Sequence, residues 1–235
     1  KLDLFAGFGI DATVVIPFNT ALAALTAQSF VADWLHARIG AGVAVSGADF
    51  TFGTKRSGNT ALLAELGQGH GFAAEVVHAV SDSGGVISST RIREALRDGE
   101  VAAATALLTR PYSIRGEVQH GAKLGRTLGF PTANMVLGAY LRPRSGVYAV
   151  RARLGDGSHV DGVANLGIRP MIEPVVELLE TFLFDWAGDL YGQTIDIELV
   201  EFLRPEWKLD GLDALKAQIA VDSDNARAAL ARVAR

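Results

Sequence analysis

The period of the hydropathy pattern changes at Arg110–Pro111, and that change obliges the chain to build two different architectures in succession. Upstream, the short runs ATVVIPF (12–18), GVAVSG (42–47) and AAEVVHAV (73–80) read as buried strands. They alternate with SFVADWLHARI (29–39) and TALLAELG (60–67), whose apolar residues recur at helical spacing. Strand–helix–strand alternation predicts a parallel sheet with helices packed on it. STRIREALRDGE (89–100) and VAAATALLTR (101–110) read as two helices closing this first half.

Downstream the period is two. In GVYAVRARL (146–154), Tyr148, Val150, Ala152 and Leu154 alternate with Arg151 and Arg153. VVELLETFLF (175–184) and QTIDIELVEF (193–202) are two further strands, separated by the turn-rich DWAGDLYG (185–192). Leu212, Leu215, Ile219, Ala226, Leu230 and Val233 keep one face of a last helix apolar. Closely spaced strands followed by one helix predict a small antiparallel barrel.

Several function classes are excluded by composition. A net charge of −4 offers no field for a nucleic acid, so an anionic substrate needs a local basic cluster. The absence of cysteine removes disulfides, thiolate nucleophiles and thiolate metal sites together. No signal peptide is visible, and no apolar run reaches the ~18–20 residues of a membrane span, so a cytoplasmic protein without a membrane partner is expected. There is no P-loop motif. GHGFAA (69–74) fits the loose dinucleotide fingerprint but precedes a strand instead of following one, and reads as a helix-to-strand turn. The five histidines show no metal-ligand spacing.

Three stretches carry chemistry. In GAKLGRTLGFPTANM (121–135), Gly121, Gly125 and Gly129 let backbone N–H groups approach phosphate oxygens, and Lys123 and Arg126 add charge. Thr132 and Asn134 alternate on the following strand and offer two hard oxygens suited to Mg²⁺. A polar hairpin is the plain alternative. In VVELLETFLF, Glu180 shares a strand face with Val176, Leu178, Phe182 and Phe184, whereas Glu177 reads as a solvated charge. A carboxylate on an apolar face is either a proton acceptor or half of an ion pair, for which Arg169 is a candidate. ISSTRIR (87–93) offers Ser88, Ser89 and Thr90 before a helix, with Arg91 and Arg93 in its first turn, which suits either an anion site or a simple N-cap.

Together these segments resemble the bacterial bifunctional riboflavin kinase/FMN adenylyltransferases, or FAD synthetases, over essentially the whole chain. In the second half the resemblance rests on GRTLGFPTAN (125–134), SGVYAV (145–150), GVANLGIRP (162–170), LETFLFDWAGDLYG (179–192) and FLRPEWKLD (202–210). In the first half it rests on GADFTFGTKRSG (47–58) and ISSTRIR. It implies an incomplete nucleotidyltransferase-like α/β domain over 1–110. A riboflavin kinase domain over 111–235 follows, a six-stranded antiparallel barrel with a C-terminal helix.

The resemblance also implies roles. Gly121, Lys123, Gly129, Pro131, Thr132 and Asn134 would hold ATP, with Mg²⁺ on Thr132 and Asn134. Glu180 would be the general base for phosphorylation of riboflavin to FMN. Arg169 and Tyr191 would lie near the flavin. Gly47, Asp49, Phe50, Ser89, Thr90, Arg91 and Arg93 would belong to the adenylyltransferase site that makes FAD. The sequence departs from the family at Phe182, where relatives often carry histidine, at Met171–Ile172, and in having no H-x-G-H motif. The chain opens at Lys1 without methionine, so an N-terminal segment bearing that motif is expected in the natural protein. A non-catalytic flavin- or nucleotide-binding module is the alternative, and an interaction scaffold a more distant one. A pure binder has no need of a general base, and a scaffold leaves the glycine loop unexplained.

Overall fold

A computed structural model of the chain describes residues 1–121, 124–169 and 176–233. Its contacts divide it into two compact units, Lys1–Val86 and Ile87–Arg235. The first unit begins with the short helices α1 (Leu2–Gly7), α2 (Thr20–Ala23) and α3 (Ala27–Ser29), the last running into a π-helix over Phe30–Arg38. Strands β1 (Val43–Gly47) and β4 (Ala73–Val77) pair in parallel, Val43 opposite Ala73, with helix α4 (Thr60–His70) between them. Asn59 caps α4 by accepting a hydrogen bond from the Leu62 amide at 3.0 Å. Two small ribbons complete the unit, β2 (Thr51–Phe52) with β3 (Gly58–Asn59) and β5 (Ser81–Asp82) with β6 (Gly85–Val86). Its core gathers Ala27, Val31, Phe52, Leu63 and Phe72.

The second unit opens with helices α5 (Ser89–Asp98) and α6 (Val101–Leu108). Six strands follow: β7 (Tyr112–Glu117), β8 (Thr132–Val136), β9 (Gly146–Arg153), β10 (His159–Arg169), β11 (Val176–Leu183) and β12 (Thr194–Arg204). They form one antiparallel sheet in the order β7-β12-β9-β10-β11-β8. A bridge between Gln119 and Asn134 joins the two ends of this order, the Gln119 amide donating to the Asn134 carbonyl at 2.8 Å. The chain that makes this closure then forms the one-turn helix α7 (Leu124–Thr127) before entering β8.

Alternation decides what fills the barrel. Ile114, Met135, Tyr148, Leu179, Ile197 and Leu199 point inward and are fully buried, each stabilising by roughly 1.5–3 kcal/mol. On the outer face, helix α8 (Gly211–Ala231) lays Ala226, Ala229 and Leu230 over Val147, Ala149, Val163 and Phe184. Asp222 of α8 is buried and accepts hydrogen bonds from Arg204 at 2.8 and 2.6 Å, which fastens the helix to the end of β12.

Several elements differ from the sequence expectation. Residues 12–18 form no strand: Val14, Val15 and Phe18 are 64, 70 and 83% exposed, and Pro17 denies a ladder an N–H donor. β1 and β4 do pair in parallel, but they are not buried strands. Packing covers the Ala44 and Ala74 side, while Val43 and Val45 remain 52 and 62% exposed. Helices α5 and α6 pack within the barrel unit, where Val101 joins the barrel core and the Arg144 amide donates to the Leu96 carbonyl at 2.9 Å. GHGFAA is the helix-to-strand turn it was read to be, with α4 ending at His70 and β4 starting at Ala73.

Candidate active site

The strand register assembles the site. Asn134 of β8 stands directly opposite Glu180 of β11, and Glu180 stands opposite Asn165 of β10. Two pairs along, Thr132 faces Phe182, which faces Val163. Directly opposed residues share a sheet face. Thr132, Asn134, Asn165, Glu180 and Phe182 therefore lie on the outer face, opposite the inward-facing Ala133, Met135 and Leu179. Leu178 and Phe182 lie on either side of Glu180 on that face, as the alternation required. Glu177 corrects the reading of a merely solvated charge, because Arg142 donates to it at 2.5 Å.

Asn134 is the most unusual member of this row. It is 5% exposed, and its Oδ1 has no hydrogen-bond partner among the described residues. Its Nδ2 donates to the Thr132 carbonyl at 3.2 Å. Leaving a buried acceptor unpaired costs about 1–3 kcal/mol unless a ligand engages it.

The glycine-rich segment lies over this row. A Cβ on Gly121 would come within 2.5 Å of Asn134 Nδ2, so a bare backbone is needed there. The Gly125 carbonyl accepts from the amides of Leu128 and Phe130 at 3.1 and 2.8 Å, and Gly129 takes a left-handed backbone with φ +89°. Phe130 meets Phe182 edge-on at 5.2 Å, and Phe182 meets Phe184 at 5.8 Å. Phe182 thus packs the loop onto the sheet. Lys123 lies outside the described residues.

Beside this row opens a cavity of about 360 Å³ lined by Val118, Pro131, Leu183, Trp186, Leu190 and Tyr191, with Thr132 at its edge. Thr181 also lines it, 1% exposed and with its hydroxyl unpartnered among the described residues. The His120 ring lies 3.8 Å from that of Tyr191. Tyr191 therefore shares a cavity with Pro131 and Thr132. Arg169 ends β10 with its backbone opposite Val176, its side chain is outside the description, and so are Met171 and Ile172.

Four residues that the sequence reading did not single out belong to this region: His120, Asn165, Thr181 and Glu206. Asn165 Nδ2 donates to Glu206 Oε1 at 3.0 Å. Alternation along VANLG could have placed Asn165 on a face, but only the β10–β11 register shows that it meets Glu180. Among the described residues no group of three or more His, Asp or Glu side chains could hold a metal. A hard cation here would instead draw on neutral oxygens and a nucleotide's phosphates, which the unpartnered Asn134 Oδ1 beside Thr132 fits.

The remaining expected residues divide between the units. Gly47 ends β1, and the Phe50 amide donates back to its carbonyl at 3.1 Å, so the chain turns through Asp49. Phe50 stacks on Phe52 at 5.5 Å. Ser89, Thr90, Arg91 and Arg93 occupy the first turns of α5 in the second unit, where Ser88 is the cap, accepting from the Arg91 amide at 3.3 Å.

Known proteins share this organisation. The family model for riboflavin kinase matches residues 108–230 and that for FAD synthetase residues 1–91. The bifunctional riboflavin kinase/FMN adenylyltransferase of Escherichia coli K12 is 42% identical over 228 residues, 97% of this chain and 72% of that protein. Its namesake from Listeria monocytogenes EGD-e is 36% identical over 235 residues, 99% of this chain and 74% of that one. The crystal structure of a macrolide-efflux protein from Streptococcus pneumoniae matches with a TM-score of 0.83 at 33% identity, over 96% of this chain and 73% of that one. No described helix here is long and apolar enough to cross a membrane. With both family models matched in order and relatives this similar along nearly its whole length, the chain belongs to the bifunctional riboflavin kinase/FMN adenylyltransferase family of flavin cofactor biosynthesis.

Proposed function

We propose that the barrel unit transfers the γ-phosphoryl group of ATP to the 5′-hydroxyl of riboflavin, with Glu180 as the general base. The observation that carries this reading is the Asn134–Glu180 pair, a carboxylate beside a buried, unpartnered carboxamide oxygen under a glycine-rich loop. Phosphoryl transfer asks mainly for positioning and charge neutralisation. Backbone N–H groups around Gly121 and Gly129, with Lys123, hold the phosphates, and Pro131 borders the cavity that takes a planar ring. Thr132 and Asn134 would hold Mg²⁺, which supplies charge neutralisation when bound. Glu180 accepts the proton of the hydroxyl as its oxygen bonds to the γ-phosphorus, and the bond from that phosphorus to the bridging oxygen breaks to release ADP. Arg169 and Tyr191 are assigned to the flavin.

In functional terms residues 111–235 are the kinase half and residues 1–110 belong to the FMN adenylyltransferase half, to which Gly47, Asp49, Phe50, Ser89, Thr90, Arg91 and Arg93 are assigned. The substrates are riboflavin, FMN and ATP, met in the cytoplasm. The non-catalytic binding module is not favoured, since the family is one of enzymes and binding alone makes no use of Glu180. The test is incubation with riboflavin and Mg-ATP followed by chromatographic separation of the flavins. FMN formation supports the reading, and a folded protein that binds riboflavin without making FMN overturns it.

A further inference from the structure

In the first unit two histidine rings meet. His36 lies in the last turn of the π-helix over Phe30–Arg38, and His70 is the last residue of α4. Their ring centroids are 5.0 Å apart, with 36° between the planes. Packing holds the two carriers together. Val31 of the π-helix and Leu63 of α4 are buried in one core, and Leu35 and Leu66 pack against it. Leu35 immediately precedes His36, and Leu66 stands one turn before His70. His36 is exposed and His70 half-buried, so water reaches the pair. The π-helix is itself unusual in running for 9 residues, since this form occurs mostly as single-turn bulges, frequently at functional sites.

We propose that His36 and His70 chelate a divalent transition-metal ion such as Zn²⁺ or Ni²⁺, with water completing its shell, and that the ion staples the π-helix to α4. Each neutral imidazole has one unprotonated ring nitrogen, the ligand such ions prefer. A Zn–N bond of about 2.0–2.1 Å, plus roughly 1.1 Å from nitrogen to ring centre, puts two imidazoles on one tetrahedral ion with centroids about 5 Å apart. The observed separation matches that value. Rotation about Cβ–Cγ, which is soft in histidine, turns a nitrogen toward the shared point while nearly keeping the ring centre in place. Electrostatics favours the ion too. Both residues end helices, where aligned peptide dipoles leave partial negative charge. The nearby cation Arg38 is drawn elsewhere, its guanidinium lying 4.4 Å over the Trp34 ring. With i→i+5 bonding, positions 34 and 38 are neighbours and position 36 lies on roughly the opposite side. The staple is chemically distinct from the cation of the kinase reading, which draws on oxygen where this one draws on nitrogen.

The test titrates the full chain with Ni²⁺, Zn²⁺ and Mn²⁺ by isothermal calorimetry, without nucleotide. Wild type is compared with His36→Gln, His70→Gln, the double variant, and His159→Gln, an exposed histidine of the second unit. Wild type should take one Ni²⁺ or Zn²⁺, and Mn²⁺ about tenfold or more weakly. Each single substitution in the pair should weaken Ni²⁺ binding by about tenfold or more, because a chelate becomes a single ligand. The double variant should lose little beyond either single one, as expected of two residues acting together. His159→Gln should bind as wild type does, and excess Mg²⁺ should not displace the ion. Zn²⁺ should raise the melting temperature of wild type but not of the double variant. Wild-type affinity in either single variant, losses that simply add, or an ion still held tightly by the double variant would each overturn the site.

Discussion

Asn134 and Glu180 are cross-strand partners, directly opposed in the β8–β11 ladder on the face that the glycine-rich segment covers. Their proximity is thus fixed by backbone register and not by loop conformation, and a site built on a ladder is held more firmly than one built on a loop.

Replacing Glu180 with glutamine keeps its shape and removes the base. kcat should fall by about 10²–10⁴-fold, the usual worth of general-base catalysis, with the melting temperature nearly unchanged. A sharp loss of stability with turnover preserved would make Glu180 a structural partner instead.

Asn134→Leu separates ligand binding from packing. Because Oδ1 is buried without a partner among the described residues, removing it should leave stability within about 1 kcal/mol of wild type or raise it. Activity should nevertheless collapse, and any residual rate should require more Mg²⁺ for half-maximal turnover. An unaltered magnesium titration would remove the residue from the cation site.

Gly121→Ala should act through its neighbour. The added methyl would lie 2.5 Å from Asn134 Nδ2, so the carboxamide must move. ATP binding, followed by isothermal calorimetry, should weaken by tenfold or more, and lumiflavin binding should be spared. Equal weakening of both would place Gly121 in general packing.

Arg227 of α8 donates hydrogen bonds of 2.7 and 3.1 Å to Asp185, and these hold that carboxyl below the usual carboxylate range. A lowered native pKa contributes stability that is fully present above the ordinary value of about 4 and is lost as the pH falls through the native one. Both side chains are exposed, at 48 and 79%, so the contribution is modest and screened by salt. Asp185→Asn should flatten the fall of melting temperature below about pH 4, most visibly at low ionic strength. An identical slope in both proteins would show the pair to be inert.

The parts of this fold that could be read from the sequence are those with a strong period. β9, β11, β12 and α8 carry long apolar alternations or stripes, and they occur where the pattern put them. β10 was harder to see because its outward positions hold Asn165 and Gly167, residues of low strand propensity. The segment 12–18 misled in the opposite way, since its apolar run has β propensity but no neighbouring strand to pair with among the described residues. In the site, Glu180 was conspicuous as a charge on an apolar face. Asn165 and Glu206 were not, because they lie 41 positions apart, and only the fold brings the second onto the strand of the first.

The bridge that joins the barrel's two end strands uses the backbone of Asn134, the same residue that stands opposite Glu180 and is proposed to meet the ligand. Opening of that seam and occupancy of the site are therefore one thermodynamic cycle, since a ligand that binds only the closed form raises the free energy of opening by RT ln(1 + [L]/Kd). The Gln119 amide, which makes the closing hydrogen bond, becomes a natural reporter of this coupling. Its hydrogen exchange should slow in proportion to nucleotide saturation, while amides at the centre of β9 and β12 exchange at rates set by global unfolding. The barrel is in that sense a clasp as well as a scaffold, and substrate is what fastens it.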